Sequence, residues 1–217
     1  MQTAVWLLLG TAIGTICGCG GLLWAGRMLK TRGREERFSP SARVLLPVFG
    51  AVCGGILGVF IRQVLPLAAA LALLTVGIAV AVCDWLCRII PNDTVLAVFG
   101  IKLVVIAAAL LHVPGASAVG LLSALGGMAF CFSVFFAPGL MGKCVGAGDV
   151  KLAAAMGFLL GFGNSLVAVV LMGVLMLGYS MVQNKMPLLT FLKTDIPMGP
   201  FLAAGLLMAW ALPYLPL

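Results

Sequence analysis

Two aspartates stand at the edges of long apolar runs. Asp84 lies in GIAVAVCDWLCRIIPND and Asp149 in KCVGAGDVKLAAAMG. An ionised carboxylate near hydrocarbon is expensive, so an acid in such a place points to a function. Two carboxylates that meet can share one proton. One then activates water while the other protonates a scissile carbonyl or a leaving amine, a scheme that hydrolyses a peptide bond without a metal. Gly146 and Gly148 suit it, because residues without side chains let backbone approach closely, and they are expected to make their segment mobile. Helix-end fields divide the roles: Asp149, near a helix N-terminus, is favoured as the anion and base, whereas Asp84 is near a C-terminus, with Arg88 opposing that trend. Such a dyad still titrates as a unit. The structural alternative pairs each acid with its neighbour, Asp84 with Arg88 and Asp149 with Lys151.

The remaining polar residues offer less. Glu35 and Glu36 sit in a basic loop, Asp195 in a late one, and Asp93 follows Asn92 as a helix cap or first-turn residue. Lys102, inside FGIKLVVIA, either balances a dyad charge or pairs structurally. His112 is the sole histidine and ends an apolar run away from the acids, which excludes a Ser-His or Cys-His mechanism beside them. Seven cysteines, an odd number, lie mostly in apolar runs (Cys17, Cys19, Cys53, Cys83 and Cys131) and read as small hydrophobes. The CGC at 17–19 lacks further ligands, so neither a metal site nor a cofactor is expected.

The elements that hold the aspartates must be membrane helices. Of 217 residues 63% are hydrophobic and 9% charged, which excludes a soluble domain. Apolar runs long enough to cross about 30 Å of hydrocarbon recur throughout. The expected fold is an all-α polytopic bundle with about eight crossing segments, near 4–26, 44–61, 65–83, 94–112, 117–137, 150–162, 165–182 and 198–214. Residues 1–64 form a two-span segment with the basic loop 27–43, and 65–217 a helical core, together one integrated membrane domain. The first run has no basic n-region and no small-residue cleavage site, so it reads as an uncleaved span.

With the N-terminus outside, eleven basic residues (Arg27, Lys30, Arg32, Arg34, Arg37, Arg43, Arg88, Lys143, Lys151, Lys185 and Lys193) face the cytoplasm, and Arg62 alone faces out. This bias accounts for the net charge of +7 better than nucleic-acid binding does. It also requires a break at GFGN, 161–164, since one long helix there would export Lys185 and Lys193. The third segment ends at Asp84 and the fifth returns before Asp149, so both acids reach one membrane depth.

GAGDVKL resembles the GxGD motif of the type IV prepilin peptidases, and DWLCRIIPN the segment around their other catalytic aspartate. DIPMGPFLAAG, 195–205, is similar to the Ile-Pro-Phe-Gly-Pro segment that opens their last span, with Met198 in place of phenylalanine. The three motifs occur in the family's order and cover about residues 65–217. The resemblance implies an intramembrane aspartic endopeptidase that removes the basic leader of type IV prepilin or pseudopilin precursors at the cytoplasmic face of a bacterial inner membrane. It implies Asp84 and Asp149 as the catalytic pair, and Gly146, Gly148, Pro91, Asn92, Pro197, Gly199 and Pro200, with Arg88 and Lys151 beside them, as residues that shape the site. The first loop is 17 residues without cysteine, lacking the paired Cys-x-x-Cys of members that also N-methylate pilins, which implies the compact, peptidase-only form. The presenilin Pro-Ala-Leu element is absent. Competing readings are a proton- or ion-coupled transporter, which predicts repeats and midplane acids, and a non-catalytic partner in pilus or secretion assembly.

Overall fold

The computed structural model describes residues 2–33, 38–112, 117–140, 146–184 and 197–215. Inside a bilayer each backbone N–H and C=O must be satisfied within its own segment, and the apolar runs accordingly fold as helices. These are α1 (Gln2–Thr31), α2 (Pro40–Phe60), α3 (Val64–Cys87), α4 (Asn92–His112), α5 (Ser117–Leu140), α6 (Ala147–Asn184) and α7 (Gly199–Ala211), with a closing 3-10 turn at Leu212–Tyr214. Six are long and apolar enough to cross a membrane, and α7 is a shorter apolar helix. The protein is a multi-pass membrane protein. Glu35, Glu36, Lys143, Lys185, Lys193 and Asp195 lie outside the described residues, as does the side chain of His112.

Helices α1 and α2 pair antiparallel through glycine. A methyl group on Gly10 would overlap the carbonyl oxygen of Gly54, one on Gly14 that of Gly50, and one on Gly58 that of Trp6. Only residues without a side chain let two backbones approach so closely. Ser39 starts α2, its Oγ accepting the Ala42 N–H at 3.2 Å just ahead of Pro40. On its other side α1 runs along α3, with Ala25, Met28 and Leu29 packed among Ala79, Cys83 and Cys87.

The central element is α3, with 56% of its apolar stretch buried against at most 28% for any other span. Its Gly77 receives Ala203 of α7, and Gly205 of α7 receives Ala168 and Met172 of α6. Trp210 Nε1 donates to the Pro66 carbonyl at 3.2 Å, tying the far end of α7 to the start of α3. Leu73, Val80, Val98, Met156, Leu159 and Leu202 fill the core between them.

Helix α6 spans 38 residues, and its backbone breaks at Gly161 (φ 77°, ψ 173°). A straight helix of that size would reach about 57 Å, nearly twice the hydrocarbon thickness. The chain reverses instead. Near its start Gly148 packs on Ile90 and Lys151 reaches Asn92. Near its end Tyr179 meets Trp85 at 6.2 Å and Phe201 at 5.4 Å between ring centroids. These partners all belong to the end of the bundle that holds Asp84. The middle of α6, at Leu159 and Phe162, bonds to Lys102 and Ser123 deep in α4 and α5. Counting arms 147–160 and 162–184 separately gives eight apolar segments, with the break at the first residue of GFGN.

Candidate active site

Five segments converge at the end of the bundle where α3 stops. Arg88 closes α3 in the left-handed region (φ 54°, ψ 36°), its N–H donating to the Asp84 carbonyl at 2.9 Å. This sharp turn sends 88–91 across the bundle end, and Thr94 fixes the start of α4 by donating Oγ1 to the Pro91 carbonyl at 2.7 Å. Asp84 therefore sits within the last turn of α3, only 5% exposed.

The N-terminus of α7 meets that carboxylate. Gly199 N–H donates to Asp84 Oδ2 at 2.7 Å. A Cβ on Gly199 would stand 2.8 Å from Asp84 Cβ and 3.0 Å from Oδ2, so only glycine fits. Pro197 and Met198 lead into the helix and Pro200 occupies its first turn, where its missing N–H leaves no bond unmade. Helix-end reasoning placed Asp84 at a C-terminus alone; in the fold it faces the positive end of α7 as well.

Asp149 lies in the first turn of α6, its N–H donating to the Gly146 carbonyl at 3.0 Å. Oδ1 is buried and has no hydrogen-bond partner among the described residues. Gly146 accommodates the carboxylate, since a Cβ there would lie 2.6 Å from Asp149 Oδ2. Gly148 presses on Ile90, whose Cβ would be 2.9 Å from an added methyl. Residues 147–149 are helical, and both glycines make close contacts.

The neighbouring cations take other positions. Lys151 Nζ approaches Asn92 Oδ1 at 3.4 Å, and Arg88 acts on Asp84 through its charge. Neither Asp84–Arg88 nor Asp149–Lys151 forms a direct ion pair among the described residues. Ile90 and the aromatic trio Trp85, Tyr179 and Phe201 border the site without having been singled out in the sequence. Ile90, Trp85 and Phe201 lay inside quoted motifs, but the ring contacts of Trp85 and Phe201 with Tyr179 join separate segments and carry no local pattern.

A family model for the type IV leader peptidase family matches residues 71–181, just over half of the chain. The chain belongs to the type IV leader peptidase family. As a leader peptidase it matches from the middle of α3 to the close of the second α6 arm, a stretch that includes Asp84 and Asp149; α7, with Gly199 and Pro200, lies beyond. No curated protein and no solved structure matches the chain.

Proposed function

We propose that this leader peptidase is an aspartic endopeptidase that cleaves type IV prepilin-like precursors at the cytoplasmic face of a bacterial inner membrane, with Asp84 and Asp149 as its catalytic pair. The observation that carries this reading is convergence: the segments around 84, 149 and 199 meet at one end of the bundle, Gly199 on Asp84 and Gly148 on Ile90. A hairpin of two crossings separates Asp84 from Asp149, and the excess of basic residues at that end supports a cytoplasmic orientation.

The roles divide by hydrogen bonding. Asp84 Oδ2 accepts a backbone N–H at a helix N-terminus, which favours charge there. Asp149 Oδ1 is buried without a partner, and a neutral carboxyl is the cheaper occupant of such a place. This reverses the division expected from the ends of α3 and α6 alone. Asp84 then takes a proton from water, the water oxygen bonds to the scissile carbonyl carbon, and Asp149 delivers its proton to the carbonyl oxygen. As the tetrahedral species collapses, the proton on Asp84 passes to the leaving nitrogen, the C–N bond breaks, and Asp149 recovers its proton.

Gly146, Gly148 and Gly199 keep the carboxylates close to backbone, Pro91 and Asn92 set the turn into α4, and Pro197 and Pro200 aim α7. Arg88 and Lys151 supply local positive charge. The substrate would present a basic leader followed by an apolar helix lying against the bundle, its cleavage site at the depth of the acids.

Co-expression with a pilin-type precursor tests this, leader removal being read by gel shift and N-terminal mass. Wild type is expected to trim the precursor without methylating it, and Asp84→Asn and Asp149→Asn to accumulate it uncut while still inserted in the membrane. Trimming that survives either substitution removes that aspartate from the mechanism.

A further inference from the structure

Lys102 is a cation half-buried in the middle of α4, where an unused charge would be hard to tolerate. It does not serve as counter-charge to the aspartates. Its Nζ donates to the Leu159 carbonyl at 2.9 Å, and Leu159 lies ten residues, about 15 Å of helix, beyond Asp149. The left-handed backbone at Gly161 ends the first arm of α6 and deprives its last carbonyls of their helical partners. An ammonium at a helix C-terminus answers both the orphan carbonyl and the negative end of the helix.

The break is held from α5 as well. Phe162 N–H donates to Ser123 Oγ at 3.2 Å, and Ser165 Oγ donates back to the Phe162 carbonyl at 2.7 Å. Gly127 of α5 lies so close that a methyl on it would overlap the Gly157 carbonyl and come within 2.7 Å of Gly161.

Helix α4 and the first arm of α6 thus run side by side and are tied at two levels. Lys151 meets Asn92 near the acids, and Lys102 meets Leu159 at the tip. Asp84 connects to α4 through the four residues 88–91, and Asp149 begins the arm that α4 grips. The arm that carries Asp149 is therefore held against α4 at both ends, by Lys151–Asn92 beside the acids and by Lys102–Leu159 at the tip.

We infer that Lys102 is a positioning residue: by capping the broken end of the arm that carries Asp149, it sets where that aspartate stands relative to Asp84. The inference rests on the reading of Asp84 and Asp149 as the catalytic pair, and its test separates the two.

Purified full-length protein in lipid nanodiscs is assayed on a synthetic precursor with a basic leader ahead of an apolar helix, and hydrogen exchange is followed over residues 147–160. Lys102→Met is expected to lower kcat at least tenfold with KM within twofold of wild type, and to raise exchange at 156–160 at least fivefold. Lys102→Arg, which keeps a long cationic donor, is expected to stay within threefold in kcat and to keep native exchange. A general loss of fold would instead change KM and exchange across all helices. Monodisperse Lys102→Met with native kcat or native exchange overturns the inference. If Lys102→Met does not accumulate, Lys102→Gln takes its place; its shorter reach predicts the same rise in exchange, and native exchange is again fatal. Should wild type cleave nothing, or Asp149→Asn still cleave, the catalytic reading fails, and exchange in the lysine variants alone decides whether Lys102 holds the arm.

Discussion

Gly199 and Asp84, 115 residues apart, are joined by a 2.7 Å hydrogen bond from a helix N-terminus to a buried carboxylate. The bond explains why glycine opens α7: an added methyl would press on the Cβ and Oδ2 of Asp84. Gly199→Ala is expected to reduce precursor cleavage at least tenfold and to destabilise the fold by about 1–3 kcal/mol, the usual range for overpacking. Gly178→Ala, where an added methyl meets nothing within 4 Å, is the matched control and should leave both unchanged. Cleavage rates with thermal unfolding of both variants check this.

Gly148 and Ile90 make a second such contact, and it can be relieved from the other side. Gly148→Ala alone should impair cleavage and lower stability by about 1–3 kcal/mol. Combining it with Ile90→Gly removes the Cβ that the added methyl would meet and should restore part of the lost activity. A double-mutant cycle with no coupling between the two positions would contradict the packing described here.

Asp149→Asn should separate function from stability. It is expected to abolish cleavage, and at alkaline pH, where the free acid would be driven to ionise with its buried Oδ1 unpartnered, it supplies a neutral isostere. The expected gain is about 1 kcal/mol, or a rise of about 2–4 °C in Tm for a chain of this size. A lower Tm would mean that Asp149 contributes to folding through a bond not present in this arrangement.

The glycine seam between α1 and α2 predicts a purely structural phenotype. Gly54→Val places two methyl groups against the Gly10 carbonyl and the Gly14 backbone, and should destabilise the pair by about 3 kcal/mol or more. Gly100→Ala, with open space around it, should be neutral. Unfolding in detergent, monitored by circular dichroism, distinguishes them.

Much of this architecture is legible in the residues because hydrocarbon leaves few alternatives. Apolar run lengths gave helix positions to within a few residues, and the charge imbalance demanded the reversal that Gly161 provides. The GxGD and Ile-Pro-Asn motifs marked the elements that meet at one end. Helix ends were harder to place: α3 continues to Cys87, so Asp84 lies inside the helix rather than at its edge. Long-range contacts left no local trace. Nothing near Lys102 in the sequence names Leu159, and nothing near Asp84 names Gly199, because those partners are set by packing between helices. The motif glycines were expected to permit close approach, but which groups they approach is likewise set by packing: Ile90 for Gly148 and the Asp149 carboxylate for Gly146.

The short first arm also has a history. Its 14 residues span about 21 Å, less than a translocating chain needs to enter lipid as an independent unit. The arm must partition together with the longer one behind it, as a hairpin. Its final seat, the Lys102 ammonium, has by then already left the ribosome on α4. Assembly of the two-aspartate centre is therefore bound to the order of synthesis, and a chain stalled before the second arm emerges would hold Asp84 in the membrane with no Asp149 beside it.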